Sequence, residues 1–102
     1  MNRYSVRLAP SAQEDLERLY QFLLNIDEPT AQRALQAIED SYEVLARSPF
    51  ICRKAGDGSC GALVRELIID FGSSGYLALF EIDDDHTVTI TAVRHQLESD
   101  YH

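Results

Sequence analysis

The sequence predicts an α+β domain in which one strand and a helical hairpin precede three further strands, in the order β-α-α-β-β-β. Between Ser11 and Arg47, apolar residues recur every three or four positions, which is the period of an amphipathic helix. On either side of this region, short segments either alternate or are apolar throughout, and they are bounded by turn residues, which is typical of strands. We therefore predict a mostly antiparallel four-stranded sheet covered by the hairpin.

The first strand covers residues 3–8, where polar and apolar side chains alternate with a period of two. Pro10 ends it. Ser11 and Glu14 have the spacing of a capping box, in which each side chain hydrogen-bonds the backbone of the other residue. The pattern predicts that the first helix begins at Ser11.

Pro29 divides the helical region in two, because the residue before a proline is pushed out of the helical conformation while proline itself fits the first turn of a new helix. The connector is 25–29, and the second helix runs to about Arg47, where Ser48 and Pro49 stop it. A connector this short forces an antiparallel hairpin. The joint apolar face of the hairpin must then lie on a sheet.

The remaining elements follow from glycine, proline and polar runs that separate apolar segments. They are a loop over 50–62, a strand over 63–69, a turn over 71–75, a strand over 76–82, a polar hairpin loop over 83–86 and a strand over 87–93. The strand over 76–82 is apolar on both faces, which indicates a central position. In the last strand, period two places Val88, Ile90 and Ala92 on one face and the threonines on the other.

Length and composition bound the function. A chain of 102 residues is expected to form one domain over 1–102, and no apolar run reaches the roughly 20 residues of a membrane span. We see no export signal, so we expect a cytoplasmic protein whose Cys52 and Cys60 are free thiols. The net charge of −8, from nine Lys and Arg against seventeen Asp and Glu, disfavours a surface built to bind phosphates. A protein partner is therefore expected.

No metal or cofactor site is expected. The three histidines and two cysteines lack the close paired spacings of zinc ligands. The adjacent carboxylates of Asp83, Asp84 and Asp85 diverge in a hairpin loop and indicate a solvated turn rather than a cation site.

The candidate chemistry lies beyond the last strand, where Arg94, His95, Tyr101 and His102 occur together. An arginine can stabilise a phosphorane and histidines can act as acid and base, so RNA cleavage is one hypothesis. The other is a polar tail that docks on the sheet or stays mobile. Arg65 lies inside an otherwise apolar strand, so it should be paired, either with a helix carboxylate or with Glu66 or Glu81.

Six segments taken in order resemble the RelE/ParE toxins of bacterial type II toxin–antitoxin systems. These segments are 8–16, 31–35, 45–49, 64–67, 75–80 and 90–96. The resemblance covers nearly the whole chain and implies a helical hairpin on a mostly antiparallel sheet, in agreement with the pattern. It further implies an antitoxin partner, binding of operator DNA only through that antitoxin, and a role in plasmid stabilisation.

The family has two branches, and the sequence favours the ParE-like one. RelE-like members cut mRNA on the ribosome with basic residues and a tyrosine, whereas ParE-like members are thought to bind and inhibit DNA gyrase. The arginine expected after the tyrosine of the Gly-Tyr motif is Leu77 here, and the basic position beyond the last strand falls near Gln96. We therefore predict a non-catalytic gyrase inhibitor that a ParD-like antitoxin neutralises.

The predicted target-binding residues are Arg94, His95, Gln96 and Tyr101, and Arg65 is a structural or antitoxin-binding arginine. Two alternatives remain open. The first is a RelE-like ribosome-dependent mRNA endonuclease that uses Arg94, His95, Tyr101 and His102. The second is an attenuated toxin that only binds antitoxin, because ParE-like relatives commonly carry arginine where Leu97 stands.

Overall fold

The structure is a computed structural model that describes residues 3–55, 61–72 and 74–95. Its elements follow the predicted order, with one short strand in addition. They are β1 Ser5–Leu8, α1 Pro10–Leu24, α2 Glu28–Arg47, a 3-10 helix Pro49–Ile51, β2 Arg53–Lys54, β3 Val64–Phe71, β4 Ser74–Ile82 and β5 Thr87–His95. The predicted α+β class is confirmed.

The strands form one sheet in the order β1-β5-β4-β3-β2, in which β1 runs parallel to β5 and the other pairs are antiparallel. The strand predicted to be central, β4, lies in the middle. The sheet has five strands rather than four because β2 forms inside the segment that we interpreted as a loop. A strand of two residues is too short to show a period of two.

Helix α1 begins one residue earlier than predicted, and the predicted capping box is wrong. Pro10 occupies the first turn, Ala9 is the N-cap residue, and no side chain caps the helix. Proline fits this position because its missing N–H would have no helical partner. Ser11 consequently lies inside the first turn, and its hydroxyl donates to the Thr91 carbonyl at 2.6 Å.

Helix α2 begins at Glu28, inside the predicted connector, and has Pro29 in its first turn as predicted. Asp27 is the N-cap residue, and its carboxylate accepts from the Thr30 N–H at 3.0 Å. The Thr30 hydroxyl donates to the same carboxylate and, with that N–H, lowers the pKa of Asp27. The helix ends at Arg47, as expected from Ser48 and Pro49.

The two helices cover one face of the sheet. On β4, the buried side chains of Tyr76, Ala78, Phe80 and Ile82 point towards the helices and define the helix-covered face. The alternate residues of β4, together with their register partners on β3 and β5, define the open face. The core joins these strand residues to apolar side chains of both helices, which are Ala12, Leu19, Ala34, Ile38 and Leu45.

Candidate functional site

The end of β5 carries an irregularity that decides where its polar residues point. Phe80 of β4 pairs with Ile90 and Leu79 pairs with Ala92, so Thr91 has no partner on β4. This extra residue is a β-bulge, which shifts the alternation of every residue that follows it. The predicted face of Val88, Ile90 and Ala92 is therefore wrong at its last member: Val93 is buried with the core and Ala92 lies on the open face.

Arg94 and His95 consequently lie on opposite faces of the sheet. Arg94 pairs with Leu77 on the open face, whereas His95 pairs with Tyr76 on the helix-covered face. The rings of His95 and Tyr76 meet edge to face, with centroids 5.4 Å apart. The structure therefore does not bring these two predicted site residues to one point.

The open face is apolar at its centre and carries charges of both signs around it. Leu77 and Leu79 of β4 and Ile68 of β3 form the centre. Among the described residues of the strands, the carboxylates on this face belong to Glu66, Asp70 and Glu81, and the guanidinium groups to Arg7, Arg53 and Arg94. Glu66 is paired with Arg53 of β2 at 2.6 Å, so one cation of this face is already matched by a carboxylate.

Tyr76, the tyrosine of the Gly-Tyr motif, is a core residue. Its side chain is only 2% exposed, and its ring also lies 6.0 Å from that of Phe71. Burial raises the pKa of its phenol. A substrate bound on the open face would have the whole sheet between itself and this phenol.

Arg65 is on the helix-covered face and serves the chain's own backbone. Its guanidinium donates to the carbonyls of Ala62 at 2.7 Å, Phe50 at 2.9 Å and Cys52 at 2.7 Å. The guanidinium also lies over the Phe50 ring, 5.1 Å from its centroid. These contacts fix the segment after α2 to the start of β3.

The predicted ion pair of Arg65 with Glu66 or Glu81 is wrong. Both carboxylates project from the open face, because Glu66 follows Arg65 directly in the strand and Glu81 pairs with Val64. The backbone carbonyls replace them as the acceptors that a half-buried guanidinium requires.

The other predicted target-binding residues, Gln96 and Tyr101, lie outside the described residues, as do Leu97 and His102. Sequence reasoning also missed that α1 reaches β5 through polar side chains. Asp15 accepts from the Val93 N–H at 3.0 Å, close to the bond that Ser11 makes. The available signal was their spacing of four, which places both on the same side of α1.

No group of three potential metal ligands occurs within the described ranges. The acidic loop is a turn, as predicted: Asp84 accepts from the His86 N–H at 2.7 Å, and this bond lowers the pKa of Asp84. Cys52 is a buried free thiol, whereas Cys60, the other predicted free thiol, lies outside the described residues. None of the helices in the described parts of the chain is long and apolar enough to cross a membrane.

Comparison with known proteins places this fold and sequence in a family. The family model of the ParE toxin of type II toxin–antitoxin systems matches residues 6–99. Toxin RelE3 of Caulobacter vibrioides is 35% identical over 94 residues, which are 92% of this chain and 96% of that protein. The chain therefore belongs to the ParE toxin family, within the RelE/ParE superfamily of type II toxin–antitoxin toxins.

Two solved structures share the fold. The chromosomal ParDE toxin–antitoxin system of P. aeruginosa matches with a TM-score of 0.71 at 20% identity, covering 91% of this chain and 96% of that one. The toxin–antitoxin complex RelBE2 of Mycobacterium tuberculosis matches with a TM-score of 0.60 at 26% identity, covering 92% and 99%. The relatives thus carry both ParE and RelE names.

Proposed function

We propose that this toxin inhibits DNA gyrase by binding to it and does not cleave nucleic acid. The observation that carries the proposal is the placement of Arg94 and His95 on opposite faces of β5. Acid–base cleavage of RNA needs a cation and a proton donor or acceptor at the same phosphate. On opposite faces of the strand, these two side chains are directed away from a common phosphate.

Leu77 and Tyr76 support the same proposal. The resemblance to RelE-like nucleases leads one to expect an arginine at position 77, but an apolar side chain stands there on the open face. Tyr76 is buried beneath the helices, so its hydroxyl is unavailable to a substrate on that face. A nuclease lacking these groups would lose most of the electrostatic stabilisation of its transition state.

The balanced charge around the open face favours a protein target over a nucleic acid. Backbone charge dominates nucleic-acid binding, and the carboxylates of Glu66, Asp70 and Glu81 offset the guanidinium groups of this face, so its described strand residues offer phosphates no net positive charge. In contrast, an apolar centre with a charged rim is the usual composition of a protein interface. Within this proposal, Arg94 contacts gyrase from the open face, and His95, Gln96 and Tyr101 extend the contact beyond it.

The test compares two purified systems. Wild-type protein should block supercoiling by gyrase or trap cleaved DNA, while mRNA on programmed ribosomes stays intact. Arg94→Ala should weaken gyrase inhibition about tenfold, as expected for an arginine near the centre of an interface. Arg33→Ala is the matched control, because it removes the same charge from an exposed position on α2.

Cleavage of mRNA at codon positions with normal gyrase activity would overturn the proposal in favour of the endonuclease. Inactivity in both systems, with activity gained by Leu97→Arg, would instead identify an attenuated toxin. Each outcome is decided by direct measurement of DNA topology and mRNA integrity.

We further propose that a cognate ParD-like antitoxin neutralises the toxin and covers the region around Arg65. The two solved structures with the same fold are a toxin–antitoxin system and a toxin–antitoxin complex. Around Arg65, the side chains of Phe50, Ile51 and Leu63 are 50%, 76% and 48% exposed. Apolar groups exposed together in this way are typical of a surface that a partner covers.

Calorimetric titration with the antitoxin tests this second proposal. Ile51→Ser and Leu63→Ser should weaken antitoxin binding, whereas Ile26→Ser should not, although Ile26 is 66% exposed at the turn between the helices. Operator DNA should be retarded by the complex and not by the toxin, because DNA binding is assigned to the antitoxin. Such a pair would act in the cytoplasm and could stabilise a plasmid that encodes it.

A further inference from the structure

Strand β5 continues beyond the end of its neighbour β1. The β1–β5 pairing ends with Leu8 opposite Ile90, followed by one bond from the Ala9 N–H to the Ile90 carbonyl at 2.9 Å. From Thr91 to His95, this side of β5 therefore has no strand partner among the residues that the structure describes. An unpaired edge would leave backbone groups without acceptors and donors.

Helix α1 supplies two of those missing partners with side chains. The Ser11 hydroxyl donates to the Thr91 carbonyl at 2.6 Å, and the Asp15 carboxylate accepts from the Val93 N–H at 3.0 Å. These two backbone groups lie on either side of Ala92. On the opposite side of the strand, the Thr91 hydroxyl donates to the Leu79 carbonyl of β4 at 3.2 Å.

Two of these three bonds involve Thr91, the extra residue of the bulge, and the third holds Val93 two residues further along. A bulge can move along a strand or leave it, and a slip by one residue transfers every later side chain to the other face. If Thr91 paired with Leu79, Arg94 would pair with Tyr76 on the helix-covered face, and His95 would lie on the open face. The bulge is therefore what directs Arg94 towards the open face.

We propose that Ser11 and Asp15 are positioning residues that hold this bulge and thereby present Arg94 on the open face. The functional part of the proposal rests on the role of Arg94 in gyrase binding given above. The structural part stands on hydrogen bonds alone. Asp15 is suited to the task because a carboxylate acceptor makes a stronger bond to an N–H than a neutral group does.

Two other groups act on the same point. Arg18 lies 3.9 Å from the second oxygen of Asp15, so it can orient the carboxylate without replacing it. Val93 is fully buried and favours the same register, because a slip would exchange it with Ala92 in the core. Because Val93 also favours the native register, the test removes the side chains of Ser11 and Asp15 together.

The test variant is Ser11→Ala with Asp15→Leu in the full chain, studied by NMR. Amide exchange at Val93 should accelerate about tenfold or more, as expected when a bond to a charged acceptor is lost. The cross-strand contact between the Tyr76 and His95 rings should weaken, and a contact between Tyr76 and Arg94 should appear. Glu17→Leu is the control, since it also replaces a carboxylate of α1 with leucine, but at an exposed position.

Asp15→Asn keeps an oxygen acceptor and should retain the Tyr76 to His95 contact. Deletion of Thr91 provides the decisive rescue, because a strand without the extra residue reaches the native register with no bulge to hold. The deletion should restore the Tyr76 to His95 contact in the Ser11→Ala and Asp15→Leu background. A merely structural role of the two side chains would not be rescued in this way.

The proposal is overturned if the double variant keeps the native ring contact and the native Val93 exchange, or if deletion of Thr91 fails to restore the contact. Gyrase inhibition is measured on the same samples. It should fall in the double variant and recover with the deletion. If the ring contact changes as expected while inhibition does not, the positioning of Arg94 stands and its proposed role in gyrase binding fails.

Discussion

Tyr76 and His95 face each other across the β4–β5 pair, with ring centroids 5.4 Å apart and ring planes at 80°. This edge-to-face arrangement is favourable because the positive ring edge meets the negative face. It ties the last described residue of β5 to a side chain buried under both helices. His95 is therefore a packing residue as well as a proposed target contact.

Replacement of Tyr76 distinguishes a role of this residue in packing from a role in catalysis. Tyr76→Phe should leave both folding and gyrase inhibition close to wild type, because the phenol is buried away from the open face. Tyr76→Ala should lower the free energy of unfolding by about 3 to 5 kcal/mol, as large aromatic truncations in cores do. Chemical denaturation and the supercoiling assay measure the two effects. Loss of activity in a well-folded Tyr76→Phe variant would contradict this and favour the nuclease.

Much of the fold could be predicted because its signals are periodic. Three features have a local physical cause that the sequence displays. They are the interruption at Pro29, the strand over 76–82 that is apolar on both faces, and the polar loop over 83–86. Their positions agree with α2, β4 and the turn in the structure. Local chemistry was sufficient for these elements.

The arrangement of the site could not be predicted because its causes are not local. The bulge at Thr91 depends on bonds from Ser11 and Asp15, which are distant in sequence. If the bulge is ignored, strict alternation along the strand assigns Arg94 and His95 to the wrong faces. The acceptors of Arg65 were missed for a related reason, since they are backbone carbonyls, which no residue type reveals.

Arg65 should be needed for stability whether or not antitoxin is present. Arg65→Lys keeps the charge, but one ammonium cannot reproduce the forked bonds to the carbonyls of Phe50, Cys52 and Ala62. We expect a loss of about 2 to 3 kcal/mol, which lowers the melting temperature by about 10 °C in a domain of this size. Thermal unfolding of the isolated toxin measures it, with Arg33→Lys as the control. An unchanged melting temperature would leave Arg65 only a partner-binding role.

Cys52 should react slowly with thiol reagents in the native protein. Its side chain is 7% exposed, and burial raises the pKa of its thiol, with Arg65 opposing that shift. The low exposure and the raised pKa both reduce the accessible thiolate that such reagents attack. In a Cys60→Ser background, modification should be at least about tenfold slower than after denaturation, because it requires local opening. Equal rates in the native and denatured protein would contradict the buried position.

Glu43 should titrate far below an ordinary glutamate. Arg3 forms two bonds to its carboxylate, at 2.8 and 2.7 Å, and Arg47 adds a third at 2.8 Å. The hydrogen bond from Arg3, followed by that from Arg47, lowers the pKa of Glu43 from 4.5 to about 2. Because the folded-state pKa is depressed, the stabilisation that this carboxylate gives the folded protein is present above pH 4.5 and is lost as the pH falls from 4.5 to about 2.

Arg3→Gln should move the pKa of Glu43 back towards 4.5, as measured by NMR of the carboxyl carbon, and the control Arg33→Gln should not. Added salt should produce a smaller shift in the same direction, because these groups are exposed and their attraction is screened. A titration curve unchanged by Arg3→Gln would show that the link from the start of the chain to α2 is absent in solution.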